Sequence, residues 1–369
     1  MTATSVRRDD LVATGLTAGL DRVGVAAADP FGRVRTDMAE RAAAGMTARL
    51  RFTFKDPERA TDVSTSFPWA RRLVVGIRSY LPAAGTAPSR PGHGRVARFA
   101  VEDPYGPLSD GLRAIADELR RRGHRAEVLV DDDRLVDRAA AVRAGVAWWG
   151  KSTMALTPGL GPWFVIGSVV TDAELDVDAP MRRGCGTCDA CLPACPTGAL
   201  VAPGVLDARK CLAAIAQSPG VIPRQWRPAM GDRLYGCDDC LDACPPGLRL
   251  MIRSTDERGS VPLEWVLAAA DETLLDRFPH FYLPGRSARF LRRNAIVAMG
   301  NDGDPGLFET VALHVGHRDW LLRAHAVWAL ARLGSPRMEA VLEDRLRRER
   351  QPEVRQELEA ELQPQTSGA

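Results

Sequence analysis

The spacing of apolar residues divides the chain into a mixed first half and a helical last third. Leu11 to Gly19 and Met38 to Leu50 carry apolar positions at helical spacing, and Leu108 to Arg122 reads as an amphipathic helix. Arg72 to Arg78 and Ala126 to Val130 are short apolar runs of strand length. A helix is predicted over Leu135 to Ala144 and a strand over Trp163 to Val170. Strands and helices that alternate in this way predict a sheet with helices packed on it. The proline- and glycine-rich stretch Leu81 to Gly94 is predicted as a loop with room to cover a site. From Leu250 onward the pattern turns helical. Asn294-Ala-Ile-Val-Ala-Met299 and His325-Ala-Val-Trp-Ala-Leu330 align at a shift of 31 residues, and Glu353-Val-Arg355 echoes Trp320-Leu-Leu-Arg323. Recurring short helices of this kind predict a small HEAT-like solenoid, with two clear copies and a worn third. Gln363 to Ala369 reads as a disordered tail.

With 369 residues and 45% hydrophobic content the chain has material for two or three cores. Its divisions read as residues 1–175, mixed α and β; 176–250, rich in cysteine; and 251–369, helical repeats. The fold class is therefore α+β, with an α/β N-terminal domain. No apolar run approaches the ~20 residues that cross a bilayer, and Met1 to Leu11 mixes arginine and aspartate without an apolar core. Cytoplasmic residence is the expectation. A net charge of +2 demands no nucleic acid. Arginines do gather between Arg286 and Arg350, either as a basic face for phosphates or as an ordinary helix surface with glutamates interleaved. The charge pattern alone favours the ordinary surface. Lysine occurs only at Lys55, Lys151 and Lys210, beside Cys211 in the last case.

All eight cysteines fall between Cys185 and Cys244. Cys185, Cys188, Cys191 and Cys195-Pro196 spell CxxCxxCxxxCP, the run by which bacterial ferredoxins hold one iron–sulfur cluster and lend a ligand to a second. Cys237, Cys240 and Cys244-Pro245 repeat it without the first cysteine, so Cys211 must supply that ligand. This exchange assigns Cys185, Cys188, Cys191 and Cys244 to one 4Fe-4S cluster and Cys195, Cys211, Cys237 and Cys240 to the other. Zinc sites want two separated pairs, which this run fits poorly, and disulfides want an oxidising compartment, against which the N-terminal stretch without an apolar core speaks.

Gly145 to Thr153 matches the phosphate-loop expression GxxxxGK[ST], but a helix precedes it and Trp148-Trp149 fills positions that must be small. Glycines around two tryptophans read better as a wall against a large flat ligand. Asp131 closes the Ala126–Val130 strand, where a ligand-facing acid can sit. A solvated turn or helix cap over Asp131 to Asp133 is an equal reading of the residues alone.

Taken together, these segments resemble the epoxyqueuosine reductases, cobalamin-dependent iron–sulfur enzymes of tRNA modification. The resemblance runs from about Met38 to Met299. Its carriers are Val130-Asp131, Leu135-Val-Asp-Arg-Ala139, Trp149-Gly-Lys-Ser-Thr153, Leu156-Thr-Pro158, the CxxCxxCxxxCPTGA run, Leu206-Asp-Ala-Arg-Lys-Cys211, Gly236-Cys-Asp-Asp-Cys240 and Arg293-Asn-Ala-Ile. It implies an N-terminal domain that binds cobalamin with its base displaced, clusters that feed electrons to the cobalt, and helical repeats that engage the tRNA, whose anticodon loop carries the modified base. It implies Asp131 as proton donor, with Trp149, Lys151, Thr153, Leu156, Gly236 and Asp238 contacting cofactor. An external low-potential electron donor and a monomeric enzyme are part of the same expectation. The chain departs from the family pattern at Pro104, Ala214, Ala216, Ser218 and Pro246, and at Arg134, which bears on the substrate more than on the redox chemistry. Two other functions fit the residues: a corrinoid iron–sulfur reductase of another substrate, and a non-catalytic electron carrier or scaffold.

Overall fold

The computed structural model describes residues 6–49, 52–81, 89–250 and 259–363. The chain packs as two compact units, each built from separated segments: Met1–Gly85, Glu102–Arg209 and Asp238–Arg253 in the first, Thr86–Val101, Lys210–Cys237 and Ser254–Ala369 in the second.

The first unit is built on a four-stranded sheet in the order Arg22–Ala27, Arg72–Ser79, Phe164–Thr171, Ala126–Val130. Every pairing in it is antiparallel. The Arg22–Ala27 strand is too short and small-sided to stand out in the sequence, yet four of its six residues are buried. The predicted strand over Arg72 to Arg78 forms at Arg72–Ser79, its apolar run buried on both faces. Helix Tyr105–Arg121 covers one face through Leu108, Leu112, Ile115 and Leu119, all fully buried. Helix Asp137–Arg143 lies on the other face with its alanines in the core. The helix expected over Met38 to Leu50 begins earlier and ends at Ala43, because Gly45 takes a left-handed φ of 68° and stops it. Part of the Leu81 to Gly94 loop and the Gln363 to Ala369 tail lie outside the described residues, apart from Gln363 itself.

The second unit is mainly helical. Helices Arg289–Asp302, Trp320–Leu330 and Pro352–Leu362 form its inner layer, and Phe308–Val315 and Met338–Arg348 alternate with them outside. The aligned repeats fall on Arg289–Asp302 and Trp320–Leu330, where Ala295, Ile296, Val297, Ala326, Val327 and Trp328 are fully buried. A three-stranded sheet of Arg233–Tyr235, His93–Val96 and Ser260–Pro262 closes one end. Several of these arginines are paired as on an ordinary helix surface: Arg289 meets Asp319, Arg292 meets Asp271, and Arg347 and Arg348 both meet Asp344.

Glu349 ties the last two helices. Its carboxylate accepts from Arg323 at 2.8 and 3.0 Å, from Arg345 at 2.5 Å, and from the backbone N–H groups of Arg350 and Gln351. Burial would raise its pKa, but these donors hold it at about 2, below the ordinary 4.5. A carboxylate depressed in the folded state contributes stability above its unfolded pKa and loses it as pH falls. The second unit should therefore lose on the order of 3 kcal/mol between about pH 4.5 and 2. Thermal unfolding of Glu349→Gln should show a flatter acid limb; an unchanged limb would remove Glu349 from this role.

Candidate active site

The Ala126–Val130 strand is an edge strand whose last pairing is Val130 with Gly167. The next residue, Asp131, takes φ 49°, a left-handed conformation in which aspartate is among the few tolerated side chains. Asp131 lines a cleft of about 290 Å³ together with Phe52, Tyr105, Asp137, Trp149 and Ile166. Its residue is open to the cleft while protein surrounds it on most sides. Burial first, and the charge of Asp132 second, raise its pKa above the usual carboxylate value.

The three consecutive aspartates have separate tasks. Asp132 accepts from the Arg134 side chain at 2.9 and 2.6 Å and from its backbone N–H, and Asp133 pairs with Arg59 at 2.5 Å. Those two fix the loop, and Asp131 is left facing the cleft. Arg134, a departure from the family pattern, is thus part of the loop's scaffold, and its guanidinium also lies 5.0 Å over the Phe67 ring.

Asp137 is the acid that sequence reasoning passed over. It opens helix Asp137–Arg143, where an aspartate ordinarily serves the helix dipole. Here its Oδ1 is shielded from solvent without a hydrogen-bond partner, and burial followed by the neighbouring Asp131 raises its pKa well above normal. No sequence signal separates such a residue from a routine helix-start acid.

The tryptophan pair forms a short antiparallel hairpin, Trp148 opposite Leu156 and Trp149 opposite Ala155. Successive strand residues point to opposite faces. Trp149 and Ala155 accordingly line the Asp131 cleft, while Trp148 and Leu156 line a second cavity of about 140 Å³. A hairpin in this place, with no helix opening from it, is not a phosphate loop. Trp149 keeps 42% of its surface exposed, which suits a wall against a flat ligand.

The second cavity is ringed by Cys185, Cys188, Cys191 and Cys244. The Cys244 loop reaches it through a backbone contact between glycines: a Cβ on Gly161 would stand 2.8 Å from the Gly247 Cα. The Lys151 N–H donates to Cys185 Sγ at 3.4 Å. Burial pushes the Cys244 thiol up to about 11, with further contributions from Cys185, Cys191 and Cys188, while the Gly247 N–H opposes the rise. Trp148, which lines this cavity, has its indole Nε1 buried without an acceptor. Four soft donors around one small apolar chamber, beside an orphaned N–H that a sulfur could satisfy, fit a thiolate-held cluster.

The other four cysteines lie on separate segments. Burial would raise the Cys195 thiol, but the Thr197 hydroxyl and the N–H groups of Thr197, Ala199 and Leu200 bring it below normal. Cys211 sits at the N-terminus of helix Leu212–Gln217, Cys237 follows the Arg233–Tyr235 strand, and Cys240 lies in the short helix Asp239–Asp242.

The remaining expected contacts divide between the cavities. Lys151 and Leu156 face the cysteine ring, not the Asp131 cleft. Thr153, with φ 68°, belongs to the hairpin turn, where its carbonyl accepts from Arg138. Gly236 packs against Ala97, so close that an added Cβ would stand 2.5 Å away, and Asp238 precedes the Cys240 helix. Among the departures, Pro246 lines the cysteine cavity, and Pro104 precedes helix Tyr105–Arg121, whose Tyr105 reaches the Asp131 cleft.

Residues 184–247 match the family of 4Fe-4S double cluster binding domains, and residues 287–363 match HEAT repeats. The epoxyqueuosine reductase of Bacillus subtilis is 28% identical over 366 residues, covering 95% of this chain and 94% of that protein. That of Vibrio cholerae is 32% identical over 280 residues, covering 71% of this chain and 75% of the relative. A crystal structure of epoxyqueuosine reductase with a tRNA-Tyr epoxyqueuosine-modified stem loop matches with a TM-score of 0.90 at 28% identity, over 96% of this chain and 97% of that one. The cysteine framework, the helical repeats and near full-length similarity to these enzymes agree: this chain belongs to the epoxyqueuosine reductase family.

Proposed function

We propose that this chain reduces the epoxide of epoxyqueuosine in tRNA to the alkene of queuosine, with cobalamin in the Asp131 cleft and two 4Fe-4S clusters on its eight cysteines. The observation that carries this reading is the tryptophan hairpin, which has a ring of four thiols on one face and a carboxyl-bearing cleft on the other. Cys185, Cys188, Cys191 and Cys244 would hold the first cluster; their shared chamber supports that set. Cys195, Cys211, Cys237 and Cys240 would hold the second, by the exchange of ligands read from the spacing. When bound, the clusters supply single electrons and the corrin cobalt supplies two-electron reducing power.

Overall, two electrons and two protons enter, both C–O bonds of the epoxide break, a C=C bond forms and water leaves. The residues of this chain manage the protons and the solvent. Asp131, kept protonated to higher pH than an ordinary carboxyl, donates to the epoxide oxygen as it departs. Trp149, Phe164 and Ile166 give the cleft apolar walls that exclude water and stack against flat ligands. The modified base would leave the anticodon loop to reach this cleft, as unpaired RNA bases can. An external low-potential donor, a monomeric state and cytoplasmic residence complete the reading; among the described residues no helix is long and apolar enough to cross a membrane.

Anaerobic reconstitution with iron, sulfide and cobalamin, followed by incubation with epoxyqueuosine-containing tRNA and a low-potential reductant, tests the proposal. Alkene formation dependent on cobalamin is expected. Protein that holds iron and cobalamin but leaves the epoxide intact would transfer the chemistry to another substrate, and failure to bind cobalamin would favour an electron carrier.

A further inference from the structure

Arg293 is fully buried in helix Arg289–Asp302, where burial lowers its pKa to about 9, and the adjacent Asn294 is equally buried. A cation and an amide in a helical core each cost desolvation unless their donors are met. Arg293 donates to the carbonyls of Ser218 and Gly220 at 2.7 Å each, of Ala216 at 2.9 Å and of Ile215 at 3.3 Å. These acceptors cluster at the end of helix Leu212–Gln217, whose N-terminal cap is Cys211. A guanidinium there complements the partial negative charge of the last carbonyls. Asn294 Oδ1 accepts from Arg293, and its Nδ2 donates in two directions, to Ala216 O at 3.0 Å and to Leu234 O at 2.9 Å. Leu234 lies in the strand that delivers Gly236 and Cys237.

We infer that Arg293 and Asn294 are positioning residues for the second cluster: the first helix of the repeat array mounts the two segments that carry Cys211 and Cys237. This rests on the proposed ligand set. On the Cys211 segment the mount uses backbone oxygens, those of Ala216 and Ser218 among them, so the departures from the family pattern at these two positions change side chains and leave the acceptors in place. It also gives the array a task other than RNA binding.

The test is anaerobic iron and sulfide loading of Arg293→Lys and Asn294→Leu, made separately, with Glu349→Gln as a control that destabilises the same unit away from the cysteines. Iron per chain, the electron paramagnetic resonance of the dithionite-reduced protein and thermal unfolding are read; no epoxide turnover is needed, so the mount can fail while the proposed reaction stands. Wild type and control should hold about eight irons. The mount variants should fall toward about four, or keep eight with an altered signal and a shifted potential for one cluster only. Full loading with an unchanged spectrum in both variants would overturn the inference. So would equal iron loss in the control, which would reduce the effect to general instability.

Discussion

Asp131→Asn should bind iron and cobalamin as the wild type does and turn over epoxyqueuosine about 10² to 10⁴ times more slowly, the contribution of a well-placed general acid. The amide keeps the size of the side chain and removes only its transferable proton. In the wild type the rate should fall as pH rises through the raised pKa of Asp131, because the donor is lost on ionisation. That limb should vanish in the variant. The stability change has a definite sign as well. A carboxyl whose folded pKa is raised binds protons more tightly when folded, so its ionisation at higher pH favours unfolding. Replacement by asparagine should therefore leave the protein at least as stable near neutral pH. Asp137 supplies the contrast. It stands beside Asp131 and Asp132, with Arg138 as the opposing charge, and burial raises its pKa, which favours its neutral form. Asp137→Asn copies that neutral form and should leave the pH limb in place. Normal turnover by Asp131→Asn, or loss of the limb in Asp137→Asn, would move the acid role away from Asp131.

The contrast between these two aspartates shows what the sequence could carry. Cysteine spacing was legible because ligand geometry is local: three thiols two residues apart must converge, whatever the rest of the chain does. Cys185, Cys188, Cys191 and Cys244 line one cavity, and they are the set that the exchange between the two runs proposes for one cluster. Strands and helices with strong periodicity appeared within a few residues of their expected places, Ala126–Val130 among them. What was not legible depends on contacts distant in sequence. The fourth strand of the sheet, Arg22–Ala27, is six residues without a strong pattern and pairs with Arg72–Ser79, far away in the chain. The shielding of Asp137, the division of the tryptophans between two cavities and the carbonyls gathered by Arg293 arise only after segments far apart have packed. Lys151 illustrates the same limit: the scarcity of lysine in the chain singled it out, but only the fold placed its N–H on Cys185 Sγ.

Glu357→Ala should lower the stability of the second unit by about 3 to 5 kcal/mol, the cost of stranding a buried charge. Arg227 is fully buried, and both of its terminal nitrogens meet Glu357, at 2.5 and 2.9 Å, while its Nε donates to the Ile222 carbonyl at 2.8 Å. The guanidinium also lies 5.6 Å over the Trp328 ring at the centre of the repeat core. Arg224 adds a second cation to Glu357 and reaches Glu361 at 2.5 Å, so helix Pro352–Leu362 is held to the 222–228 segment by charge as well as by packing. Removal of Glu357 leaves Arg227 without the carboxylate that offset its desolvation. A fall in unfolding temperature on the order of 10 °C is expected, read by circular dichroism. Glu357→Gln, which retains one acceptor and the shape, should lose less. The double replacement Arg227→Met with Glu357→Leu should recover much of the loss, since an apolar pair of similar volume leaves no buried charge. If the double variant is as unstable as Glu357→Ala, shape and not charge compensation holds this helix in place.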